Sequence, residues 1–592
     1  MCGIVGLMTR DGSAPDSFIL EGLINAVRHR GPDGEGQYLA RNFAMAQTRL
    51  AIIDLETGDQ PLYESSGATL VANGEVYNYL EIRKNLVDAD FNTASDCEAP
   101  LHLYRSYGLD FVEYLRGMYA IALYDSIEEQ LILTRDPFGI KPLYYSETES
   151  GFCFASEPQA LLVAGLVDRS VNTIARSELL QLQYTTGSST VFKNINRVLP
   201  GETIVVRDGR IVARRRKKAL PNNKPENWHL DKAMETLCEA LNDSIEIHQR
   251  SDVPYGMFLS GGIDSSVLLA LMSELNEQPV KTFTAGFEGT SVIDEREHAK
   301  LIAEYLGAET VDIEITRKEF WNRLPEIAGV VDDPTADYAI IPTYLLGEAV
   351  SKNGLKVVLS GEGGDELFAG YGRYRSVVRP WWKGGRSMHS RGMLDGLDLF
   401  RHPPVGWRDG ISAVEERLNA EPLSQLQIAQ ATDCNDWLPN DLLTKVDRCL
   451  MAHGVEGRTP FLDSRVASVA FSLPDQLKIK DGIGKWLLRR WLNDRLPVSR
   501  AYEPKRGFSV PVAEWIFQRG NELGPLVARQ EGIYEIFDPK KVEGLYKKRG
   551  KRQGFAAWLL LFYALWHNHH ILGNSSSGGN VFEVLDYSGR NL

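Results

Sequence analysis

Cys2 stands immediately after the initiator methionine. A small residue at position 2 allows that methionine to be removed, and Cys2 then carries a thiol and a free α-amino group on one residue. An α-amino group titrates at about 7.7–8.0, so it can serve as a base near neutral pH. The result is a nucleophile with its own base attached, the cysteine counterpart of the N-terminal threonine arrangement. A cysteine at this position is otherwise just a small buried residue, so its companions decide. Arg28-His29-Arg30-Gly31-Pro32-Asp33 is a polar turn, Arg49 lies inside the apolar pattern RLAIID, Asn73-Gly74-Glu75 follows a short strand, and Ser95-Asp96-Cys97-Glu98 opens a helix. An amidase acting on a free amino acid needs a nucleophile, an oxyanion hole, a cation for the α-carboxylate and an anion for the α-ammonium. Cys2, Asn73 with the Gly74 N–H, Arg49, and Asp96 with Glu75 fill those roles in turn.

A second chemistry begins at Leu259-Ser260-Gly261-Gly262-Ile263-Asp264-Ser265-Ser266, between a strand and a helix. Glycines let backbone N–H groups approach phosphate oxygens, and a helix N-terminus favours the anion. No Gly-Lys-Ser/Thr follows, so this is not a Walker loop. Asp264 is unfavourable in an anion loop unless a cation sits there, and Mg²⁺ bridging pyrophosphate oxygens resolves the conflict. Ser360-Gly361-Glu362-Gly363-Gly364-Asp365-Glu366 repeats the logic after another strand. In a parallel sheet both loops lie at strand carboxyl ends, where such sheets bind ligands, and Asp264 and Asp365 can share the metal.

The elements that must position these groups change character along the chain. Up to about residue 200, short strands predominate: Gly3–Met8, Phe43–Ile53, Thr69–Ala72, Met118–Tyr124, Gln130–Thr134, Leu143–Ser146 and Phe152–Ala155. Two helices, Ser17–Arg28 and Cys97–Tyr107, accompany them. That predicts an α+β unit with a largely antiparallel sheet. Arg214–Lys218 with Pro221 and Pro225 reads as a solvated linker. After it, helix Leu230–His248 leads into alternation: strand Pro254–Leu259, helix Ser265–Leu275, strand Val280–Gly286, helix Asp294–Leu306, strand Glu309–Ile315, helix Ile341–Ser351, strand Lys356–Leu359. Alternation of this kind predicts α/β with a parallel sheet. Beyond about residue 372 the pattern is mostly helical; Ala556–Trp566 reads as a buried helix, and 380–407 has no evident place.

Composition narrows the class. The 592 residues carry a net charge of −14, with 43% hydrophobic and 24% charged residues. Such a chain is globular, and its acidity argues against nucleic acid or an acidic membrane as partner. Six cysteines without a CxxC read as free thiols of a reducing cytoplasm. No run approaches the roughly 20 apolar residues that span a bilayer.

MCGIVG, RHRGPD, RLAIID, NGEVYN and SDCE, in that order, resemble the class II glutamine amidotransferases. That likeness implies an αββα sandwich, an N-terminal-nucleophile glutaminase, with Cys2 as nucleophile, Asn73 and Gly74 as oxyanion hole, and Arg49, Glu75 and Asp96 holding glutamine. His29 fits a structural role, and DPFGIKPL (Asp136–Leu143) a structural or interface role. SGGIDSS resembles the pyrophosphate loop of the ATP pyrophosphatase superfamily. Together with LSGEGGDELFAGY, KVDR, EGRTPFLD and PKRGFSVP it resembles the glutamine-dependent asparagine synthetases. The resemblance implies that ATP adenylates a side-chain carboxylate and that ammonia arrives through an internal channel. Ser260, Gly261, Gly262, Asp264 and Ser265 then bind pyrophosphate; Leu259, Ala285 and Gly361 meet the adenosine; Asp264 and Asp365 hold Mg²⁺; Lys505 stabilises phosphate charge; and Glu362 takes a proton from the attacking nitrogen. Where some synthetases grip aspartate with an arginine, this chain has Tyr338, which leaves Arg373, Arg448 and Arg458 as candidate carboxylate partners or structural ion pairs.

The expected organisation is a glutaminase over 1–213, a linker over 214–228, an ATP-dependent synthetase over 229–572 and a flexible tail over 573–592. Glutamine, aspartate and ATP are the expected small-molecule substrates, and a homodimer the assembly considered. The rival readings are the same fold acting on another carboxylate (a peptide, a sugar acid or a biosynthetic intermediate) and a non-catalytic glutamine or ATP sensor.

Overall fold

The computed structural model describes residues 2–289, 294–503, 510–574 and 578–588. The first 216 residues build two six-stranded antiparallel sheets. One runs, in spatial order, Asn196–Arg197, Tyr144–Glu147, Gly151–Ala155, Gly3–Thr9, Phe43–Arg49, Gly34–Leu39. The other runs Arg210–Arg216, Glu202–Arg207, Gln130–Arg135, Gly117–Asp125, Ala68–Val76, Leu62–Tyr63. Strand periodicity divides the side chains between two cores. From strand Gly3–Thr9, Ile4 and Met8 join Val71, Ala122 and Leu133 of the second sheet, while Val5 and Leu7 meet Leu20, Leu23 and Val27 of helix Ser17–Val27. Helix Ala99–Tyr107 covers the outer face of the second sheet through Leu101 and Leu103. Cys2 thus sits at the start of a strand in one sheet, and Asn73–Glu75 near the end of a strand in the other.

The second half is organised on a five-stranded parallel sheet in the order Glu309–Ile315, Lys281–Phe287, Tyr255–Phe258, Val357–Leu359, Glu456–Arg458. Chain order reverses direction between Tyr255–Phe258 and Val357–Leu359. Their carboxyl ends therefore form the crevice where an open parallel sheet takes its ligand. Helix Lys551–His570 is buried on every side from Ala556 to Trp566, as its apolar run predicts, and it belongs to the same core as helix Ser17–Val27. No described helix is long and apolar enough to cross a membrane.

Two expectations need correction, and one segment left unplaced by the sequence finds its place. Arg214–Arg216, read as the start of a linker, instead complete the edge strand Arg210–Arg216, pairing with Glu202–Ile204. An edge strand tolerates and uses charge, so its basic run looks like a connector. Within the tail, Val581–Ser588 is a helix whose Val581 and Leu585, one turn apart, are buried in the same core as Trp321. The 380–407 segment ties the halves together: Met393 N–H donates to Gln181 O at 2.9 Å and Leu394 N–H to Gln181 Oε1 at 3.1 Å, while Phe400 bridges to Phe537.

Candidate active site

Cys2 is buried, and its backbone N–H donates to Asn73 Oδ1 at 3.1 Å. That contact turns the other end of the amide, Asn73 Nδ2, into a buried donor with no partner among the described residues. An unspent donor beside a thiol fits an oxyanion hole. Gly74 has φ +154°, and a Cβ there would lie 2.1 Å from Met118 O, so only glycine lets this strand approach its neighbour. Burial pushes the Cys2 thiol up, opposed by a hydrogen bond from the Leu50 backbone and by the Arg49 charge. Arg49 is held by its own loop, pairing with Asp59 at 2.7 Å and donating to Ile53 O at 3.3 Å and to Asp54 O. Asp96 accepts the Val76 N–H at 2.7 Å. Burial raises Asp96 and Glu75, and Glu75 is raised further by Glu456 and Asp96 against the pull of Arg458. His29 is engaged elsewhere, 3.2 Å from Glu157. Its neighbour Arg30 donates to Cys2 O at 3.2 Å and forks onto Asp447 at 2.8 and 3.0 Å. Asp136 accepts the Phe138, Ile140 and Lys141 N–H groups, and Lys141 Nζ reaches Gly457 O at 3.3 Å, so DPFGIKPL stands at the contact between the halves.

The crevice of the parallel sheet opens into a cleft of about 620 Å³. Ser260–Ser265, Ser360–Glu362 and Asp365 line it, together with Leu259 and Ala285. Helix Ile263–Leu275 starts from Gly262, which has no side chain to cap it, and Ser265 Oγ turns back to Gly262 O at 3.2 Å and to Ser260 Oγ at 3.2 Å. Asp264 and Asp365 both meet Lys485 Nζ, Asp365 at 2.6 Å. Burial alone would lower the Lys485 ammonium; the two carboxylates outweigh it and raise it. Lys485 has φ +55°, and a Cβ on Gly370 would lie 1.7 Å from Asp365 Oδ1, so a left-handed lysine and a glycine are what let the trio close. Glu362 is raised by burial, then by Asp337, Asp365 and Asp264 against Lys445. Also lining the cleft, Lys445 pairs with Asp337 at 2.8 Å, and Trp437 Nε1 donates to Asp441 Oδ2 at 2.7 Å. Among the described residues no group of three or more histidine, cysteine or acidic side chains could hold a metal alone. Two carboxylates converging on one cation do fit Mg²⁺ carried in on phosphate oxygens, its ordinary mode.

Residues 236–568 match the family model described as Asparagine synthase, and residues 1–216 match that of a glutamine amidotransferase domain. The chain belongs to the asparagine synthase family. It is 33% identical to asparagine synthetase (glutamine-hydrolyzing) 1 of Bacillus subtilis (strain 168), over 96% of this chain and 97% of that one. Asparagine synthetase B (glutamine-hydrolyzing) of Escherichia coli (strain K12) is 30% identical over 87% of this chain and 83% of its own. A solved structure of the allosteric regulatory enzyme of purine biosynthesis is similar at TM-score 0.30 and 16% identity, covering 53% of this chain and 80% of that chain.

For this member of the family, the residues singled out from sequence fall into two groups. Cys2, Asn73, Gly74, Glu75 and Asp96 gather around the buried thiol; Leu259–Gly262, Asp264, Ser265, Ala285, Gly361, Glu362 and Asp365 line the cleft. Lys505 lies outside the described residues. The three arginine candidates for the acceptor carboxylate do not line the cleft. Arg373 pairs with Asp433 at 2.8 Å, Arg448 with Asp332 at 2.6 Å and Asp447 at 2.8 Å, and Arg458 with Glu456 at 2.6 Å. Buried carboxylates claim each guanidinium before a substrate can. Sequence reasoning missed Lys485, Lys445 and Asp337. The signal for Lys485 was present: two acids in phosphate loops demand positive charge, and a lysine in the turn-forming run Asp481-Gly482-Ile483-Gly484-Lys485 can supply it.

Proposed function

We propose that the chain makes asparagine from aspartate and ATP with ammonia cut from glutamine. Residues 1–213 act as the glutaminase, in an N-terminal-nucleophile sandwich. Residues 229–572 act as the synthetase, a parallel sheet with a helical carboxyl-terminal part. With Met1 removed, the Cys2 α-amine takes the thiol proton as sulfur attacks the glutamine side-chain carbonyl. Asn73 Nδ2 and the Gly74 N–H stabilise the oxyanion, ammonia leaves, and water hydrolyses the thioester to glutamate. Arg49 serves the α-carboxylate, Glu75 and Asp96 the α-ammonium. In the cleft, Ser260–Ser265 hold the pyrophosphate portion of ATP, and Leu259, Ala285 and Gly361 meet the adenosine. Asp264 and Asp365 are the residues that would hold Mg²⁺, which supplies charge neutralisation of the phosphates when bound. The aspartate β-carboxylate oxygen attacks the α-phosphorus, the bond to the bridging oxygen breaks, and pyrophosphate leaves. Lys485 steadies that charge, with Lys505 a second candidate. Ammonia arriving through the interior attacks the acyl carbon, Glu362 accepts its proton, and AMP departs.

The convergence of the two acidic loops on one lysine, in a cleft also lined by the Lys445–Asp337 pair, carries this reading. It provides opposite charges for an amino-acid acceptor beside a site for a leaving pyrophosphate. Aspartate labelled with ¹⁸O in its side-chain carboxylate tests it: label should appear in AMP, with pyrophosphate as co-product. Label in inorganic phosphate with ADP would overturn the adenylate. Reaction only with another carboxylate would replace the acceptor and leave the chemistry.

A further inference from the structure

Arg458 lines neither site's opening but touches residues of both. Its backbone lies in strand Glu456–Arg458, in register with Leu359, and its carbonyl accepts the Ser360 N–H at 2.9 Å. Ser360 opens the loop that brings Gly361, Glu362 and Asp365 to the cleft. The side chain runs the other way, fully buried, and Nη2 lies 3.4 Å from Glu75 Oε1. Nη1 donates to His248 O at 2.8 Å and Arg250 O at 2.7 Å, while Nε holds Glu456 at 2.6 Å, so the guanidinium has no freedom to follow another partner.

On the glutaminase side the arithmetic of charge is incomplete. Glu75 is 3% exposed, and its Oε2 has no hydrogen-bond partner among the described residues. Asp96, also buried, and Glu456 add their negative charge to that of Glu75, and Lys141 joins Arg458 in offsetting Glu456. Arg458 balances part of this negative charge, and a buried carboxylate left without a partner is costly. The missing positive charge is the size and sign of an amino acid's α-ammonium. We propose that Arg458 is a positioning residue for glutamine: it holds Glu75 in place for the α-ammonium and ties that anchor, through its own main chain, to the loop on the nucleotide side. This rests on the glutaminase reading above. A ligand that draws Ser360–Glu362 inward pulls on the strand that fixes Glu75, so filling the cleft changes glutamine affinity without any contact between the two ligands.

The test uses the full chain with Met1 removed, measuring glutamate formation and ammonia-dependent synthesis in parallel. Two variants are compared with wild type: Arg458→Lys, and the paired Arg458→Gln with Glu456→Gln, which removes both partners of the buried pair. The paired variant should raise the KM for glutamine about 10–100-fold while kcat for hydrolysis changes by less than about threefold, and lysine should fall between. A non-hydrolysable ATP analogue with aspartate should shift the wild-type glutamine KM, and this shift should vanish in the paired variant. An unchanged glutamine KM in a variant that still makes asparagine from ammonia overturns the proposal, as does a fall in kcat alone or a wild-type KM indifferent to the analogue. If the paired variant does not fold, Arg458→Lys decides by the same two readouts. Wild type that forms no glutamate at all strikes the glutaminase reading itself, a result distinct from hydrolysis with an indifferent KM.

Discussion

The two sites solve the problem of charge in opposite ways. Around Cys2 the charged groups are sealed in: Glu75, Asp96, Glu456 and Arg458 are all buried, with Arg458 paired to Glu456 and Glu75, and Asp96 accepting a backbone N–H. In the parallel-sheet half, Asp264, Asp365 and Lys485 stand at the wall of an open cleft. The first arrangement suits a small amino acid whose every polar group can be matched in advance. The second suits a polyphosphate, whose charge arrives with its own cation and leaves in pieces. A sealed site preorganises one ligand, and an open one must tolerate substrate, intermediate and product in turn.

If the sites are chemically separate, Cys2→Ala should erase glutamine-dependent synthesis and leave ammonia-dependent synthesis standing. Parallel assays with each nitrogen source check this, and a variant dead with both would break the division. Next in size, Lys485→Ala should slow pyrophosphate release about 10²–10³-fold, the usual consequence of losing one preorganised charge partner. Glutamate formation measured alone should stay near wild type; if it falls equally, the lysine serves the fold and not the cleft. The smallest effect concerns acid. Burial alone would raise Glu98, but hydrogen bonds from His102, Thr93 and Asn92 outweigh it and bring it from 4.5 down to about 2. A depressed folded value means the carboxylate favours the fold when ionised. That contribution is complete above about pH 4.5 and is lost as pH falls towards 2. Glu98→Gln should therefore cost about 1–3 kcal/mol at neutral pH and flatten the acid limb of a denaturation curve followed by circular dichroism. Equal acid sensitivity in the variant would remove Glu98 from the account.

Much of the first site was legible because its chemistry is packed into short runs. Cys2, Asn73-Gly74-Glu75 and Asp96 each stand inside a recognisable segment, and strand periodicity supplies the rest. The parallel sheet was legible by alternation, except for strand Glu456–Arg458, three residues long and polar at both ends. Strand Gly34–Leu39 was missed because its residues are half-buried or exposed throughout and carry no apolar alternation. Lys485 escaped for a different reason. Its partner Asp264 is 221 positions away, and its left-handed backbone has no signature in a lysine codon. The arginines of KVDR and EGRTPFLD stayed open between acceptor partner and structural ion pair, because sequence shows a cation and not the carboxylate that claims it; the ion pair is what the structure shows. Asp447 is the chain neighbour of Arg448, but Asp332, which fixes the guanidinium from the other side, becomes its partner only when two distant segments fold together.

Helix Lys551–His570 also imposes an order in time. Trp566 packs 5.6 Å from Phe192, Arg169 donates to His570 O at 2.5 Å, and Gln159 meets His570 at 3.0 Å. The outer layer of the amino-terminal half is therefore completed by residues made some 350 positions after that half leaves the ribosome. At elongation rates of about 5–20 residues per second, the interval is roughly 20–70 s. Throughout it the apolar patch around Phe192 waits uncovered, while the two antiparallel sheets already have everything they need to close on each other. Vectorial synthesis thus yields the nitrogen-releasing module first and seals it to the consumer of its product last.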